Sequence, residues 1–161
     1  MGLFFLLISF YTFYKLRINP EDNYTTLLLI LSICVLTDIG GYIFGKTLKG
    51  PKLSKISPKK TYTGAIGGLF LALCLIPFFM SYNLINNNEF FFSILFFVLV
   101  SLISQTGDIT ISYFKRLSNV KDTGKLIPGH GGLLDRIDGM IFAIPFSYIF
   151  LSFEFFKNII L

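Results

Sequence analysis

The sequence predicts an all-α, polytopic helical membrane protein with four or five transmembrane helices and two basic cytoplasmic loops. Three observations carry that prediction. Hydrophobic residues make up 53% of the 161 positions, 20 residues are Phe, and the mean hydropathy is +0.71. Charged residues make up only 14%, well under the quarter usual in soluble domains. Eleven of the 14 Lys and Arg residues fall in two stretches, Lys46–Lys60 and Lys115–Arg136. A soluble core of this size could not hide so many Phe and Leu side chains, which excludes an ordinary soluble globular domain. The length suits one domain, residues 1–161. Residues 1–24 read as a short N-terminal segment and connection, and 25–161 as the membrane domain that carries the chemistry. The net charge of +5 therefore belongs to two loops. Basic loops point to anionic partners: lipid head groups, nucleotides or nucleic acid.

Residues 3–14 (LFFLLISFYTFY) are apolar but short, since crossing the hydrocarbon core takes about 20 residues. They lack the positive n-region and small-residue cleavage site of a secretion signal. A short span, an interfacial helix and the remnant of something longer all fit. Residues 15–24 form a polar connection, and Asn19-Pro20 breaks any helix there. Thr25 to about Phe44 is long enough to span. Asp38 lies near its far end. A carboxylate inside a membrane costs roughly 2.5–3.5 kcal/mol on insertion scales, so it is a functional candidate by default. The plain alternative puts Asp38 at the water interface, paired with a lysine of the next loop.

Gly40, Gly45, Lys46 and Thr47 satisfy the phosphate-binding pattern G-x-x-x-x-G-K-[ST]. That pattern needs a strand before it and a helix after it. Here a membrane helix precedes it and a lysine-rich loop follows, so the P-loop reading fails. Gly41 and Gly45 read instead as positions of close helix contact. The loop from Lys46 to Thr61 has six lysines and no acid. Its core, Ser57 to Thr61, places Lys59 and Lys60 ahead of Thr61 and Thr63. That grouping suits a polyphosphate, and it equally suits a solvated loop obeying the positive-inside rule.

Residues 64–82 form the next span, with Gly64 and Gly68 as a small-residue packing face. Residues 83–89 are a short polar turn without a basic residue. The following span runs from Phe90 to about Tyr113 and carries Ser104, Gln105, Thr106, Asp108 and Ser112 in its last turns. A final span runs from about Gly139 to Phe156. The two basic loops flank the pair of spans 64–82 and 90–113, so they share one side of the membrane. The positive-inside rule makes that side cytoplasmic. Lys15 and Arg17 then fall on the other side, two charges against eleven. Cys34 and Cys74 lie inside apolar runs and read as small buried hydrophobes, without disulfide or zinc spacing.

The stretch Ser112–Asp138 is too rich in chemistry for a simple connection. It holds five basic residues, three acids, the only histidine and a glycine-rich turn, Pro128-Gly129-His130-Gly131-Gly132. Such a turn lets backbone N–H groups approach an anion, and Lys115, Arg116, Lys121 and Lys125 add positive charge. Asp135 and Asp138, spaced i, i+3, share a face at the start of the last helix. With Asp108 arriving from the preceding span, three carboxylates converge at the interface. Oxygen-only ligands of this kind suit Mg²⁺ bridged to substrate phosphates. The plain alternative is that these acids pair with Arg136 and nearby lysines. The residues thus describe a membrane-embedded phosphate site with a divalent metal. It fits phosphoryl or nucleotidyl transfer, and it also fits passive binding of anionic lipid.

These residues resemble a known family. Ser112, Lys115-Arg116, Lys121-Asp122, Gly124, Pro128 to Gly132 and Asp135-Arg136-x-Asp138 look like the signature of the phosphatidate cytidylyltransferase (CDP-diacylglycerol synthase) family. Upstream, Gln105-x-Gly107-Asp108, Asp38, Gly45-Lys46, Lys52-Leu53 and Ser57-Pro58-x-Lys60-Thr61 resemble it too, as do Gly64 and Gly67-Gly68. The likeness covers about 100 residues, Asp38 to Asp138, at many fixed positions. It implies a nucleotidyltransferase that uses CTP and phosphatidate to make CDP-diacylglycerol and pyrophosphate in phospholipid biosynthesis. By the same resemblance, Asp108, Lys121, Asp122, His130, Asp135 and Asp138 are catalytic, and Asp108, Asp135 and Asp138 hold Mg²⁺. A second, monovalent cation is left open. Ser57, Lys59, Lys60 and Thr61, then Lys115, Arg116 and Arg136, would bind the substrate phosphates, while His130, Gly131 and Gly132 shape the nucleotide pocket. The implied setting is a multi-pass protein of a bacterial inner membrane with its site facing the cytoplasm. No nucleic-acid partner is implied, and a homodimer is left open.

Two departures stand out. Family members carry several more membrane helices ahead of the Asp38 region, so a short member or a C-terminal portion is expected. The family tends to have Asp-Thr where this chain has Asp38-Ile39, and Asp-Ser where it has Asp138-Gly139. The acids survive and the neighbouring hydroxyls do not. The remaining alternatives are another membrane transferase using CTP or a lipid phosphate, and a non-catalytic binder of anionic lipid.

Overall fold

The computed structural model describes residues 2–18, 24–53, 57, 60–85, 90–118, 120 and 134–153, and the side chains of all of these except 2, 3 and 134–136. Six helices account for nearly all of them: α1 (Gly2–Ile18), α2 (Thr25–Leu48), α3 (Tyr62–Leu73), α4 (Leu75–Ser81), α5 (Phe90–Leu117) and α6 (Leu134–Ser152). Lys52 and Thr61 form an isolated antiparallel bridge. The protein is an all-α polytopic membrane protein. Three stretches are long and apolar enough to cross a bilayer: Thr25–Leu48, Tyr62–Ser81 and Phe90–Leu117. The apolar part of α6, Ile137–Ser152, is shorter, and α1 at 17 residues rises only about 25 Å at 1.5 Å per residue.

The elements differ from their sequence-level limits in instructive ways. Helix α1 continues through Lys15 and Arg17, because basic residues in a last turn oppose the negative end of the helix dipole. Helix α2 runs on to Leu48 and takes in the whole Gly40–Thr47 pattern, so those residues form helix and not a phosphate-binding loop. The span at 64–82 is two helices. Pro77 has no N–H to offer the carbonyl of Leu73, and the helix breaks at Cys74, whose own N–H returns to Phe70 O at 3.1 Å. Cys74 is exposed there, against the expectation that both cysteines are buried; Cys34 is buried as expected. Helix α6 begins at Leu134, so Asp135 and Asp138 both lie within its first five residues.

The core runs through the middle of the bundle. Leu29, Ile30, Ile33 and Cys34 of α2 meet Phe96, Phe97 and Val100 of α5, and Ala143, Ile144 and Phe150 of α6 close the cluster. Helix α1 lies along α6, where Ser9 Oγ donates to Ile141 O at 2.7 Å and Phe5 stacks on Phe142 at 4.6 Å between ring centroids. Outward faces carry Phe4, Phe10, Ile66, Phe70 and Phe91, as lipid-facing helices should.

Helices α2 and α3 form the most extensive pair, and glycine makes it possible. A Cβ on Gly40 would lie 2.7 Å from Gly67 O, one on Gly64 2.6 Å from Gly41 O, and one on Gly68 2.6 Å from Thr37 O. No side chain fits between these backbones, as expected at Gly64 and Gly68. On α2 the tight position is Gly40, while a Cβ would lie 3.0 Å from Thr61 Oγ1 at Gly45 and only within ordinary contact, 3.8 Å from Gly64 O, at Gly41.

Candidate active site

The connection after α2 has little freedom. Tyr62 N donates to Pro51 O at 3.0 Å, Leu53 N to Lys60 O at 2.8 Å, and Lys60 N to Ser57 O at 3.0 Å. Together with the Lys52–Thr61 bridge, these bonds fold the chain back on itself. Thr61, extended at φ −120° and ψ 156°, then caps α3 by accepting from Gly64 N at 3.1 Å. Its hydroxyl also bonds that of Thr63 at 3.1 Å, and Thr63 Oγ1 accepts from Gly50 N at 3.2 Å. The described residues of this loop, which sequence alone leaves open between polyphosphate binding and plain solvation, thus pair as a short hairpin that fixes the backbone of Lys60.

From that anchor Lys60 reaches across to α5. Its ammonium group forms an ion pair with Asp108 and also donates to Gln105 O at 3.4 Å. Residues Ser101, Ser104, Gln105, Asp108 and Ser112 recur at three- and four-residue steps, which places them on one face of α5. Along that face Ser101 Oγ accepts from Thr37 Oγ1 at 2.8 Å. Gln105 Nε2 donates to Ala65 O at 3.2 Å, tying α5 to α3. Ser112 Oγ donates to Asp108 Oδ1 at 3.4 Å.

Helix α6 brings the second acid. Asp138 is only 8% exposed, and its carboxyl group is near enough to Asp108 for the two charges to repel. Asp138 Oδ2 faces Lys115 Nζ at 3.8 Å, and Oδ1 accepts from Gly139 N at 2.9 Å. Close packing of α5 on α6 sets this position. A Cβ on Gly139 would meet Ser104 Oγ at 2.5 Å and Ser104 O at 2.9 Å, and one on Gly107 would meet Phe142 Cδ2 at 2.7 Å. Gly139 thus lets α6 sit directly against α5. Asp38 of α2, exposed on its helix, lies within electrostatic reach of both Asp108 and Lys60. It borders the site and forms no ion pair with a lysine among the described residues.

Four charged side chains thus meet where α2 and α5 end and α3 and α6 begin: Lys60, Asp108, Lys115 and Asp138, with Asp38 at the margin. Of the residues singled out by sequence, Ser57 supplies a carbonyl to the hairpin, Thr61 caps α3, and Arg116 is exposed on the last turn of α5. Lys59, Lys121, Asp122, His130, Gly131 and Gly132, and the side chains of Asp135 and Arg136, lie outside the described residues. Among the described residues, no three His, Cys, Asp or Glu side chains form a metal-holding group. Two neighbouring carboxylates do match the oxygen donors that Mg²⁺ takes, so Asp108 and Asp138 fit part of such a site. Sequence reasoning gave Gln105 no role beyond being polar. Its signal was an uncharged amide inside an apolar span, where a hydrogen-bond partner must exist.

These features define a class: a polytopic helical membrane protein with a charged, acid-and-lysine site at one end of its bundle. The sequence matches the cytidylyltransferase family over residues 1–154, and the chain belongs to that family. It is similar to the phosphatidate cytidylyltransferase of Rickettsia typhi, 44% identical over 134 residues, covering 79% of this chain and 58% of that protein. The Rickettsia bellii phosphatidate cytidylyltransferase is 41% identical over 157 residues, covering 92% of this chain and 66% of its own. That of Staphylococcus aureus (strain COL) is 40% identical over 152 residues, with 94% and 57% covered. The chain spans about three-fifths of the length of these relatives.

Proposed function

We propose that this chain transfers a cytidylyl group from CTP to phosphatidate, giving CDP-diacylglycerol and pyrophosphate. The observation that carries the proposal is the meeting of Asp108 and Asp138 from two helices, each opposed by its own lysine. A passive binder of anionic lipid has no use for carboxylates gathered inside a basic setting. Family membership and the relatives' names supply the substrates.

A phosphate monoester carries between one and a half and two negative charges near pH 7, its second pKa being about 6. The lipid phosphate is therefore already a nucleophile toward the α-phosphorus of CTP, and no strong general base is required. The work left to the protein is positioning and charge neutralisation. Lys60 and Lys115, with Lys59, Arg116 and Lys121, would engage phosphate oxygens as charge-assisted donors. The hairpin bonds around Lys60 hold its backbone in place, and the α5–α6 packing holds the two acids. Asp108 and Asp138, with Asp135, would hold Mg²⁺, which when bound neutralises the triphosphate and the departing pyrophosphate. Asp122, His130, Gly131, Gly132 and Arg136 complete the proposed pocket. The same proposal places the protein in a bacterial inner membrane with this site facing the cytoplasm.

The test uses membranes containing the full chain, radiolabelled CTP and phosphatidate. CDP-diacylglycerol should form, and Asp108→Asn should abolish most of it at equal protein level. Absence of product from correctly inserted protein would overturn the catalytic reading.

A further inference from the structure

Each carboxylate at the centre of the site already has a cation. Lys60 pairs with Asp108, and Lys115 stands 3.8 Å from Asp138. Asp38 adds a third acid within reach of Asp108 and Lys60. Among the described side chains, three carboxylates stand against two ammonium groups. A divalent cation approaching these carboxylates meets two positive point charges standing beside the oxygens it would need. Both lysines are partly exposed, at 26% and 14%, and a lysine is a compact charge on a flexible four-carbon stem. The backbone of Lys60 is fixed by the hairpin, so its ammonium can leave Asp108 without any helix moving.

We propose that Lys60 and Lys115 are exchangeable counter-ions: they hold the acids together in the empty site and yield them to the divalent cation when a nucleoside triphosphate arrives. The triphosphate offers the lysines a better partner, a polyanion in place of one carboxylate. Moving onto phosphate, they release Asp108 and Asp138 to the metal. Cation and nucleotide therefore bind cooperatively, and each must raise the affinity for the other by the same factor. The empty site neither collects stray divalent ions nor collapses through repulsion between its acids. This inference rests on the cation reading proposed above, and it assigns the lysines a second role beyond contacting phosphate.

The full chain in lipid nanodiscs is titrated with Mn²⁺ alone, free Mn²⁺ being read by its electron paramagnetic resonance. Five proteins are compared: the natural chain, Lys60→Met, Lys115→Met, Lys60→Arg and Asp108→Asn. Methionine keeps the length of the stem and removes the charge. Lys60→Met and Lys115→Met should each bind Mn²⁺ roughly tenfold more tightly than the natural chain, the scale on which a nearby opposite charge alters a carboxylate's affinity for a cation. Lys60→Arg should stay close to the natural value, and Asp108→Asn should bind more weakly. Unchanged or weaker Mn²⁺ binding in both methionine variants, with Asp108→Asn still weakened, overturns the exchange and leaves the cation site standing. Mn²⁺ binding that Asp108→Asn does not weaken overturns the cation site, and the exchange with it. If Lys60→Met fails to fold, Lys115→Met decides alone, because it acts on a different acid from a different helix.

Discussion

Two helix pairs in this bundle use the same device for different ends. Helices α2 and α3 close on each other through Gly40, Gly64 and Gly68, and α5 and α6 close through Gly107 and Gly139. In the first pair the glycines contact backbone, and the charge they serve, Lys60, lies four residues before Gly64 on the hairpin. In the second pair each glycine adjoins an acid: Gly107 precedes Asp108, and Gly139 follows Asp138. Packing and chemistry can be separated in α2–α3. In α5–α6 they share neighbouring residues, so any change in helix spacing moves a carboxylate.

The largest expected effect removes the chemistry and keeps the packing. Asp108→Asn and Asp138→Asn preserve shape and delete charge, and each should lower turnover by about 10²–10³-fold, the scale seen when one preorganised electrostatic group is lost. Steady-state turnover per folded molecule is the measurement. Residues that act as a unit are not additive, so the double variant should cost little more than the worse single one. Fully multiplicative losses would mean that the two acids do separate jobs.

The comparison itself is sharpened by one methyl group in each pair. Gly40→Ala puts a Cβ 2.8 Å from Gly68 Cα, and such overpacking costs about 1–3 kcal/mol. Its thermal midpoint in detergent should fall, while turnover per folded molecule stays near normal. Gly139→Ala puts a Cβ against Ser104 and must shift α6, with Asp138 on it. Misplacement of a catalytic group by about 1 Å can cost 10²-fold, so a shift of tenths of an ångström should lower turnover about tenfold per folded molecule. Equal stability losses with equal turnover losses in the two variants would erase the distinction drawn between the pairs.

The fold was legible where hydrophobicity alone decides it. Apolar runs marked α2, α5 and α6, and the paired glycines marked the α2–α3 contact before any coordinates. The break at Cys74 was not read, although Pro77 was in plain view, because a proline tolerated within a membrane helix and one that ends it look alike in sequence. The site was half legible. Asp108 stood out as an acid within a membrane span and Asp138 by its i, i+3 spacing from Asp135, and the structure brings Asp108 and Asp138 to one site. Lys60 stood beside Lys59 in the Ser57–Thr61 core of its loop, a grouping that suits a polyphosphate and a solvated loop equally. What selects it is a hairpin closed by backbone bonds from Leu53 and Tyr62, and backbone bonds leave no mark on composition. Thr61 was grouped with the phosphate binders because it follows two lysines. Its hydroxyl is engaged in capping α3, a role that its place just before the helix also allowed.

That cap yields the smallest effect, and it tests whether the α2–α3 side contributes to chemistry only through Lys60. Thr61 Oγ1 accepts from Gly64 N at 3.1 Å, and the residue also bridges to Lys52 beside the bonds that hold Lys60. Replacing a capping threonine by alanine costs about 1 kcal/mol. Thr61→Ala should therefore lower the thermal midpoint modestly and loosen the start of α3. Lys60 would then meet Asp108 and the nucleotide phosphates from a less fixed backbone. The Michaelis constant for CTP should rise about threefold, about 0.7 kcal/mol at 1.4 kcal/mol per decade, with the maximal rate little changed. Thr61→Ser keeps the hydroxyl and should restore both values. If Thr61→Ser restores stability but not the Michaelis constant, the threonine methyl group matters to the nucleotide, and Thr61 belongs to the substrate site as well as to the cap.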